Sequence, residues 1–274
     1  MTEDDRVRHS KAEEAEIELG PEAIARREAA NALRQADMVV AMVRAAVAAE
    51  KFKLRPSSIL NLNAEAVEGL TKYAGVWRPG SVAIGKSEHA PPDARTVPLL
   101  VEDMCDYVNE NWDSMSAVHL ASFIMWRLNW IHPFFDGNGR TSRATSYLVL
   151  CARLGNLLPG NRTIPEQIAA NRIPYYDALE DADRRYAGAQ AFKPDTVVEM
   201  EKLLSSMLAA QLKSIFDEAT AASQGDNRLK TKDQSTELIG ELGEKSRETR
   251  EILDKANEEL EKKIDRLRHS RANE

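Results

Sequence analysis

A chain of 274 residues, 43% of them hydrophobic, is long enough to bury one good core and still leave polar material at its ends. Its formal net charge of -7 argues against a surface coated in basic residues, so nucleic acid is not an expected partner. The first twenty residues lack the apolar segment of a secretory signal, and no later stretch approaches the length of a membrane span. We therefore expect a cytoplasmic protein, with export or injection into another cell left open.

The first half of the chain reads as helices interrupted by one segment of different character. Residues 1–20 are charged and aperiodic, which indicates a flexible lead-in. Residues 21–54 form a predicted N-terminal helical region, because strong helix formers carry apolar side chains at helical spacing. Residues 59–73 predict another helix. Residues 75–85 turn to Gly, Pro, Trp and Val, which favours a small β-hairpin.

A buried helix leads into the most informative part of the sequence. An apolar stripe after Ser116 predicts this helix, and Pro133 ends it because the residue before a proline is pushed out of helical conformation. His132 therefore lies at a helix exit. Further helices are predicted over 99–112, from Ala144 to Leu154, and over 164–170, 175–187 and 197–218. The sequence thus predicts an all-α catalytic domain over 55–220.

Two remaining features are less specific. Cys105 and Cys151 lie in apolar helical context without metal-binding or disulfide spacing, so we expect reduced core residues. Residues 225–274 are rich in Lys, Glu and Arg with sparse apolar positions three to four apart. This charged extension is consistent with a solvated helix, a coiled coil through which the chain self-associates, or an arm that binds a partner.

The helix exit opens the segment IHPFFDGNGRTSR, residues 131–143, which has the composition of a phosphate site. Its glycines let successive main-chain N–H groups converge at the start of a helix, where donors are unpaired. Arg140 and Arg143 share one helix face and can both reach phosphate oxygens. Asp136 is a hard-oxygen ligand for Mg²⁺, and His132 can accept a proton from a hydroxyl nucleophile. Each feature alone is common in structural roles, but their conjunction in so short a segment predicts an active site.

HPFFDGNGR, followed by Thr141, Ser142 and Arg143, resembles the extended signature of the Fic family. Two flanking segments are also similar to that family. Residues 82–85, followed by HAPP at 89–92, look like the flap that holds a target segment, and residues 171–179 look like a helix on the nucleotide side. The resemblance covers roughly residues 55–190. It implies a helical bundle with a small β-hairpin flap.

The resemblance also implies an activity, transfer of AMP from ATP to a Ser, Thr or Tyr hydroxyl of a target protein. His132 would be the base and Asp136 the magnesium ligand. Nucleotide contacts would come from Asp136, Gly137, Asn138, Gly139, Arg140, Thr141, Ser142, Arg143, Tyr175, Tyr176 and Asp183, and target contacts from Val82, Ala83, Ile84 and Gly85. Tyr175 and Tyr176 are also consistent with core positions, and Asp183 stands where the family often has Asn.

Several alternatives stay open within and beyond this family. Relatives that phosphorylate their targets have Lys at the position of Gly139, so Gly139 favours nucleotidyl transfer. Transfer of UMP, phosphocholine or phosphate, and a non-catalytic nucleotide-binding scaffold, are the remaining alternatives.

Many Fic proteins carry an inhibitory helix whose Glu pairs with the second arginine of the motif. Here the corresponding segment, residues 28–37, has Asn31 and Gln35 where Ser and Glu would be expected. A neutral amide cannot form that ion pair. We therefore expect weak built-in inhibition, an accessible Arg143, and restraint by a separate antitoxin-like protein.

Overall fold

The computed structural model of the chain describes residues 10–11, 20–85, 87, 89–159 and 162–225. The charged extension predicted after residue 225 lies outside these residues, as does most of the predicted lead-in over 1–20. Neither prediction is tested by the structure.

The described residues form an all-α fold, which confirms the fold class predicted from the sequence. Its helices are α1 (Pro21–Ala48), α2 (Pro56–Val67), α3 (Val97–Glu110), α4 (Ala117–Ile131), α5 (Asn138–Leu154), α6 (Ile164–Ala170), α7 (Ile173–Ala189) and α8 (Val198–Gly225), and its two short strands are β1 (Ser10–Lys11) and β2 (Ala83–Ile84). No helix within the described ranges combines the length and hydropathy needed to cross a membrane.

The strand predicted near residues 75–85 forms, but its partner differs from the expected one. Ala83 and Ile84 pair antiparallel with Lys11 and Ser10, rather than with another part of the same segment. Residues preceding β2 turn instead of pairing, and Gly75 has a φ of 68°. A side chain at that position would approach the Cβ of Ala64 to 2.9 Å, so a close approach to α2 replaces the first arm of the hairpin.

The chain divides into two compact units. One comprises residues 1–157 and 164–205, and the other comprises residues 158–163 and 206–274. All residues of the predicted site belong to the first unit, which also contains α1 to α7.

Helix α4 is the centre of the first unit. Ser116 caps its N-terminus, and the Ser116 hydroxyl accepts a hydrogen bond from the N–H of His119. Eleven of its residues are buried, including Leu120, Ile124, Trp126 and Leu128, so apolar side chains cover most of its circumference. Helix α5 packs along α4, and α1 and α2 pack against α5. The motif therefore connects two helices of a shared core.

Three polar side chains of the core, Tyr107, His119 and Glu201, are paired with one another. Nδ1 of His119 lies 2.6 Å from Oε1 of Glu201, and its Nε2 lies 2.9 Å from the Tyr107 hydroxyl. Burial, reinforced by the charge of Glu201, raises the pKa of Tyr107 to about 12, so this hydroxyl stays protonated at neutral pH. The three side chains satisfy one another and join α3, α4 and α8.

Both cysteines are buried in helices, as expected for core residues. Burial is the main cause that raises the pKa of Cys105 to about 12, so its thiol is protonated at neutral pH.

Candidate active site

His132 occupies the C-terminal end of α4 in an unusual backbone conformation. Its φ is 51°, in the left-handed region that residues other than glycine rarely adopt. Nδ1 lies 3.2 Å from the carbonyl oxygen of Asn129. Since a carbonyl can only accept, this hydrogen bond requires the proton on Nδ1 and leaves the lone pair on Nε2. His132 as a whole residue is 6% exposed, so the ring is an oriented base in a mostly buried position.

Arg78 holds the backbone at His132 in place through hydrogen bonds. Its side chain is fully buried, and its Nε donates to the His132 carbonyl over 2.7 Å. The remaining guanidinium nitrogens donate to the carbonyls of Gly80 and Pro92, and its main-chain N–H donates to the carbonyl of Pro133. Sequence reasoning missed this residue because a single Arg in a loop gives no signal that its partners are backbone carbonyls.

The loop between His132 and α5 is closed by Asn138. Its side-chain oxygen accepts from the N–H of Phe134 over 2.9 Å, and its side-chain nitrogen donates to the carbonyl of the same residue over 2.8 Å. Gly137 has a φ of 78°, and a Cβ there would lie 2.6 Å from Cγ1 of Val67. Both its conformation and its surroundings therefore require glycine.

A second amide supports this loop from α2. Asn63 is fully buried and donates to the Asp136 carbonyl over 3.0 Å and to the Thr141 hydroxyl over 3.2 Å. Its oxygen accepts from the N–H of Gly75. The sequence placed Asn63 among ordinary helix residues, and only the three-dimensional packing identifies it as a support for the motif.

The first turn of α5 presents the donors expected for phosphate. The main-chain N–H groups of Gly139 and Arg140 lie in this turn, where no preceding helical carbonyl is available to accept them. Arg140 donates to Oδ2 of Asp136 over 2.8 Å, and Oδ1 of Asp136 accepts from the N–H of Gly137 over 2.6 Å. The carboxylate and the arginine are thus already aligned along one side of the turn.

Arg143 differs from Arg140 in its surroundings. No carboxylate within the described part of the chain lies at ion-pair distance from Arg143. Burial lowers the pKa of Arg143, and the charges of Arg172 and Arg140 act in the same direction. The guanidinium still stays protonated at neutral pH, so it is a partly desolvated positive charge. A Cβ at Gly139 would lie 3.2 Å from Nη1 of Arg143, which shows how closely this side chain folds over the turn.

Three residues predicted to contact a nucleotide, Thr141, Ser142 and Tyr175, are buried next to the loop. Thr141 and Ser142 are buried, and the Ser142 hydroxyl accepts from Nδ2 of Asn129 over 2.7 Å. That amide also donates to the Tyr175 hydroxyl over 2.8 Å. Tyr175 is buried, which raises its pKa. In this structure it takes the core position that the sequence had left open.

The other two residues predicted on the nucleotide side are placed differently. Tyr176 is half-buried next to Tyr175, with ring centroids 5.5 Å apart. Oδ1 of Asp183 accepts a hydrogen bond from the Trp126 indole over 2.9 Å. Asp183 therefore anchors α7 to α4, and its predicted role toward a nucleotide stays a prediction.

Helix α1 reaches the motif, but not through the residues considered in the sequence. Gln35 donates to the carbonyl of Leu62, and Asn31 donates to the carbonyls of Ala66 and Glu68. Both amides thus attach α1 to α2. The contact with the motif is made by Glu28, whose carboxylate lies 3.2 Å from Nη1 of Arg140. An acidic residue therefore contacts the first arginine of the motif, from a position other than that of Gln35, where the inhibitory pattern has its Glu.

The predicted flap, Val82–Gly85, is carried by a loop attached to α4 at both ends. Arg78 binds the His132 carbonyl on one side, and on the other Nε2 of His89 lies 2.7 Å from the carbonyl of Trp130. Within the flap Ala83 is exposed and Ile84 is buried, which is the alternation of a strand with one inward face.

Comparison with known families agrees with this geometry. The Fic/DOC family model matches residues 53–150, which include α2, α3, α4, the motif and most of α5. These residues form a Fic domain. The Fic domain contains His132, the whole of the 131–143 segment, Arg78 and the flap, whereas Glu28 lies before the matched region.

Similarity to curated relatives covers about a third of the chain. The chain is 31% identical over 96 residues to "Protein adenylyltransferase Fic" of Drosophila willistoni and 33% identical over 96 residues to the protein of the same name from Drosophila ananassae. In both cases the alignment covers 34% of this chain and 19% of the relative. The chain thus spans about a fifth of the length of these relatives.

Solved structures show the same fold over a longer region. A Fic domain containing signaling protein from Bacteroides thetaiotaomicron is similar at a TM-score of 0.54 and 21% identity, covering 67% of this chain and 69% of that one. Fic-1 from C. elegans is similar at a TM-score of 0.52 and 19% identity, covering 74% of this chain and 55% of that one. At these identities the likeness supports the fold of the domain.

Proposed function

We propose that this chain is a protein adenylyltransferase, which transfers AMP from ATP to a Ser, Thr or Tyr hydroxyl of a target protein. The observation that carries the proposal is the juxtaposition of His132, with its lone pair on Nε2, and a helix start that bears Arg140 and Arg143. The name of the curated relatives supports the same activity.

His132 acts as the general base of this reaction. Its Nε2 takes the proton from the target hydroxyl while that oxygen attacks the α-phosphorus of ATP. The bond from the α-phosphorus to the oxygen that bridges to the β-phosphate breaks, and pyrophosphate leaves. The Asn129 carbonyl keeps the proton on Nδ1 and stabilises the imidazolium that forms.

The first turn of α5 binds the phosphates. Its main-chain N–H groups face the α-phosphate, and the two arginines hold the β- and γ-phosphates, where negative charge accumulates as pyrophosphate leaves. Arg143 is suited to this because its charge is partly desolvated and has no carboxylate partner among the described residues. Gly139 leaves the space into which Arg143 folds, and a longer residue there would displace it.

Asp136 is the residue that would hold Mg²⁺. The part of the chain that the structure describes contains no cluster of three or more His, Cys, Asp or Glu side chains, so a cage made of protein ligands alone is not offered. Mg²⁺ at nucleotides is usually held by one or two carboxylates together with phosphate oxygens and water. Asp136 fits that mode because its side chain is 48% exposed beside the phosphate donors. When bound, the ion would neutralise charge on the phosphates.

The flap is the proposed binding site for the target segment. A strand binds an extended peptide through main-chain hydrogen bonds, which selects for shape more than for sequence. Among the described residues β2 pairs with β1 only, along one of its two edges. Arg78 and His89 anchor the loop and hold β2 next to the end of α4 that carries the base.

The proposal is tested by incubating the purified chain with ATP, UTP, GTP or CDP-choline, Mg²⁺ and a panel of acceptor proteins. Intact-mass spectrometry then identifies the transferred group. Addition of one AMP mass from ATP is expected. Addition of UMP, phosphocholine or a phosphate group would identify another donor chemistry. If nucleotide binds by calorimetry but no group is transferred from any donor, the chain is a binding protein and the proposal is wrong.

A further inference from the structure

Asn129, in the last turn of α4, contacts the start of α5 with its side chain. Its Nδ2 donates to the Met125 carbonyl over 2.6 Å and lies 2.7 Å from the Ser142 hydroxyl oxygen. A carbonyl can only accept a hydrogen bond, so the Met125 contact identifies this end of the amide as the donor. The second hydrogen on Nδ2 is then shared by the hydroxyl oxygens of Ser142 and Tyr175, the latter 2.8 Å away.

Ser142 continues this hydrogen bonding into the motif. Its hydroxyl accepts from Asn129 and donates to the Gly139 carbonyl over 3.1 Å. The two hydrogen bonds run in the same direction, from the amide to the hydroxyl and from the hydroxyl to the carbonyl. Hydrogen bonds in such a series strengthen one another. The series therefore orients and polarises the Gly139 carbonyl.

The Gly139 carbonyl and the Arg140 N–H belong to the same peptide unit. Because a peptide unit is planar, a hydrogen bond that fixes the direction of the carbonyl also fixes the direction of the N–H. The Arg140 N–H lies in the first turn of α5, where no helical carbonyl accepts it, and in the proposed reaction it faces the phosphates. Asn129 and Ser142 thus act on a phosphate donor through its own peptide unit.

The main chain of Asn129 also contacts the base, since its carbonyl oxygen lies 3.2 Å from Nδ1 of His132. We propose that Asn129 is a positioning residue that holds the phosphate-binding turn of α5 in a fixed place relative to the general base. Its carbonyl orients His132, and its amide acts through Ser142 on the peptide unit between Gly139 and Arg140. This inference rests on the proposed function, in which the base and the turn act on one ATP molecule.

Ser142→Ala tests the contact with the phosphate-binding turn, and Ser146→Ala is its matched control. Both serines are buried on α5, but the Ser146 hydroxyl donates to the Ala121 carbonyl in the first half of α4. We expect Ser142→Ala to weaken binding of ATP with Mg²⁺ by about threefold to tenfold, measured by calorimetry. Binding of adenosine, which lacks phosphates, should not change. An equal loss of ATP affinity in Ser146→Ala, or an equal loss for adenosine, would overturn the inference.

Asn129→Ala tests whether the amide acts through Ser142. A serine in a helix can donate to the carbonyl three residues earlier without any further partner, and in that case Asn129→Ala would leave ATP affinity unchanged. We expect instead the same loss as in Ser142→Ala, and no further loss in the double variant, because both substitutions break one series. Asn111→Ala is the matched control, since Nδ2 of Asn111 donates to the carbonyl of Tyr107, also four residues earlier. Unchanged affinity in Asn129→Ala, or additive losses in the double variant, would contradict the proposal.

Single-turnover transfer at saturating ATP tests the contact with the base. Asn129→Ala should transfer at least about threefold more slowly than Ser142→Ala, because it also loosens the main chain that orients His132. Equal rates would overturn the link to the base. ATP binding by the wild-type chain without transfer of any group would contradict the proposed function and this link, while the binding comparison would still decide the link to the phosphates. Absence of ATP binding would contradict both the inference and the proposed function.

Discussion

The end of α4 and the first turn of α5 lie on either side of one short loop, yet they are held by different kinds of interaction. The His132 end is fixed by hydrogen bonds to backbone carbonyls from Arg78 and from the His132 ring itself. The α5 turn is held by ion pairs, in which Arg140 contacts Asp136 and Glu28. A substrate anion can replace a carboxylate on an arginine, but it cannot replace a carbonyl that holds a backbone in place.

This difference separates two requirements of the proposed reaction. The base must be in position before the substrate arrives, because misplacement by about 1 Å can cost roughly a hundredfold in rate. The groups that bind phosphate must be able to take up a ligand. Carboxylate partners that a phosphate can displace keep these groups ordered without blocking the site permanently. We therefore expect substitutions at the α4 end to reduce kcat and substitutions at the α5 turn to change nucleotide binding.

The largest effect is expected for His132→Ala. Loss of the general base should reduce transfer by about 10² to 10⁴-fold, while binding of ATP with Mg²⁺ is largely kept because the phosphate donors remain. Single-turnover transfer and isothermal calorimetry measure the two quantities. Leu99→Ala, which changes an exposed residue of α3, is the control for a substitution to alanine outside the site. Transfer at the wild-type rate by His132→Ala would remove His132 from the mechanism.

Arg143→Ala should cost more than Arg140→Ala, although both remove one arginine from the same turn. Arg143 has no carboxylate partner in the described ranges, so its interaction energy is available to the nucleotide. Hydrogen bonds to charged groups contribute about 1.5 to 3 kcal/mol, which corresponds to a loss of roughly 10- to 100-fold in kcat/KM. Steady-state kinetics with ATP as the varied substrate compares the variants. A larger loss in Arg140→Ala would show that Arg140 contributes more to nucleotide binding than Arg143 does.

Arg78→Lys tests the hydrogen bonds that hold the end of α4. Lysine keeps the charge but cannot donate in the fixed fork that reaches His132, Gly80 and Pro92. We expect kcat to fall about tenfold with little change in the KM for ATP, because the base is displaced and the phosphate site is not. Arg95→Lys, on an exposed arginine paired with Asp93, is the control. Equal losses in kcat and ATP affinity, together with a lower Tm, would indicate a structural role only.

The sequence predicted the fold and the motif well for a physical reason. Helix α4 has an apolar stripe, a capping serine and a terminating proline, all of which act within a few residues of each other. The 131–143 segment likewise contains its glycines, carboxylate and arginines in consecutive turns. Local periodicity and local chemistry are visible in one sequence, and the structure places these residues together.

The supports of the motif could not be predicted because their partners are distant in sequence. Asn63 bonds to Asp136 and Thr141, and Arg78 bonds to His132, through interactions that depend on the packing of α2 and a loop against the end of α4. The partner of β2 was missed for a similar reason, since a two-residue strand pairs with a segment more than seventy positions away. The contact of Glu28 was not predicted because Glu28 lies outside the two positions of the inhibitory pattern, which here are Asn31 and Gln35 and which bind α2.

The smallest effect is expected for Glu28→Gln, which tests whether the ion pairs of the α5 turn are exchangeable. The Glu28 side chain is 50% exposed, and exposed ion pairs contribute only about 0.2 to 1 kcal/mol. If ATP must displace this carboxylate from Arg140, its removal should strengthen ATP binding by up to about fivefold and leave kcat nearly unchanged. Calorimetry at two salt concentrations measures the effect, and added salt should reduce the difference between variant and wild type because it screens the pair.

Glu22→Gln, which removes an exposed partner of Arg26 on the same helix, controls for the loss of one negative charge from α1. Weaker ATP binding in Glu28→Gln would mean that Glu28 holds Arg140 ready for the phosphate rather than competing with it, and the turn would then be preorganised like the end of α4.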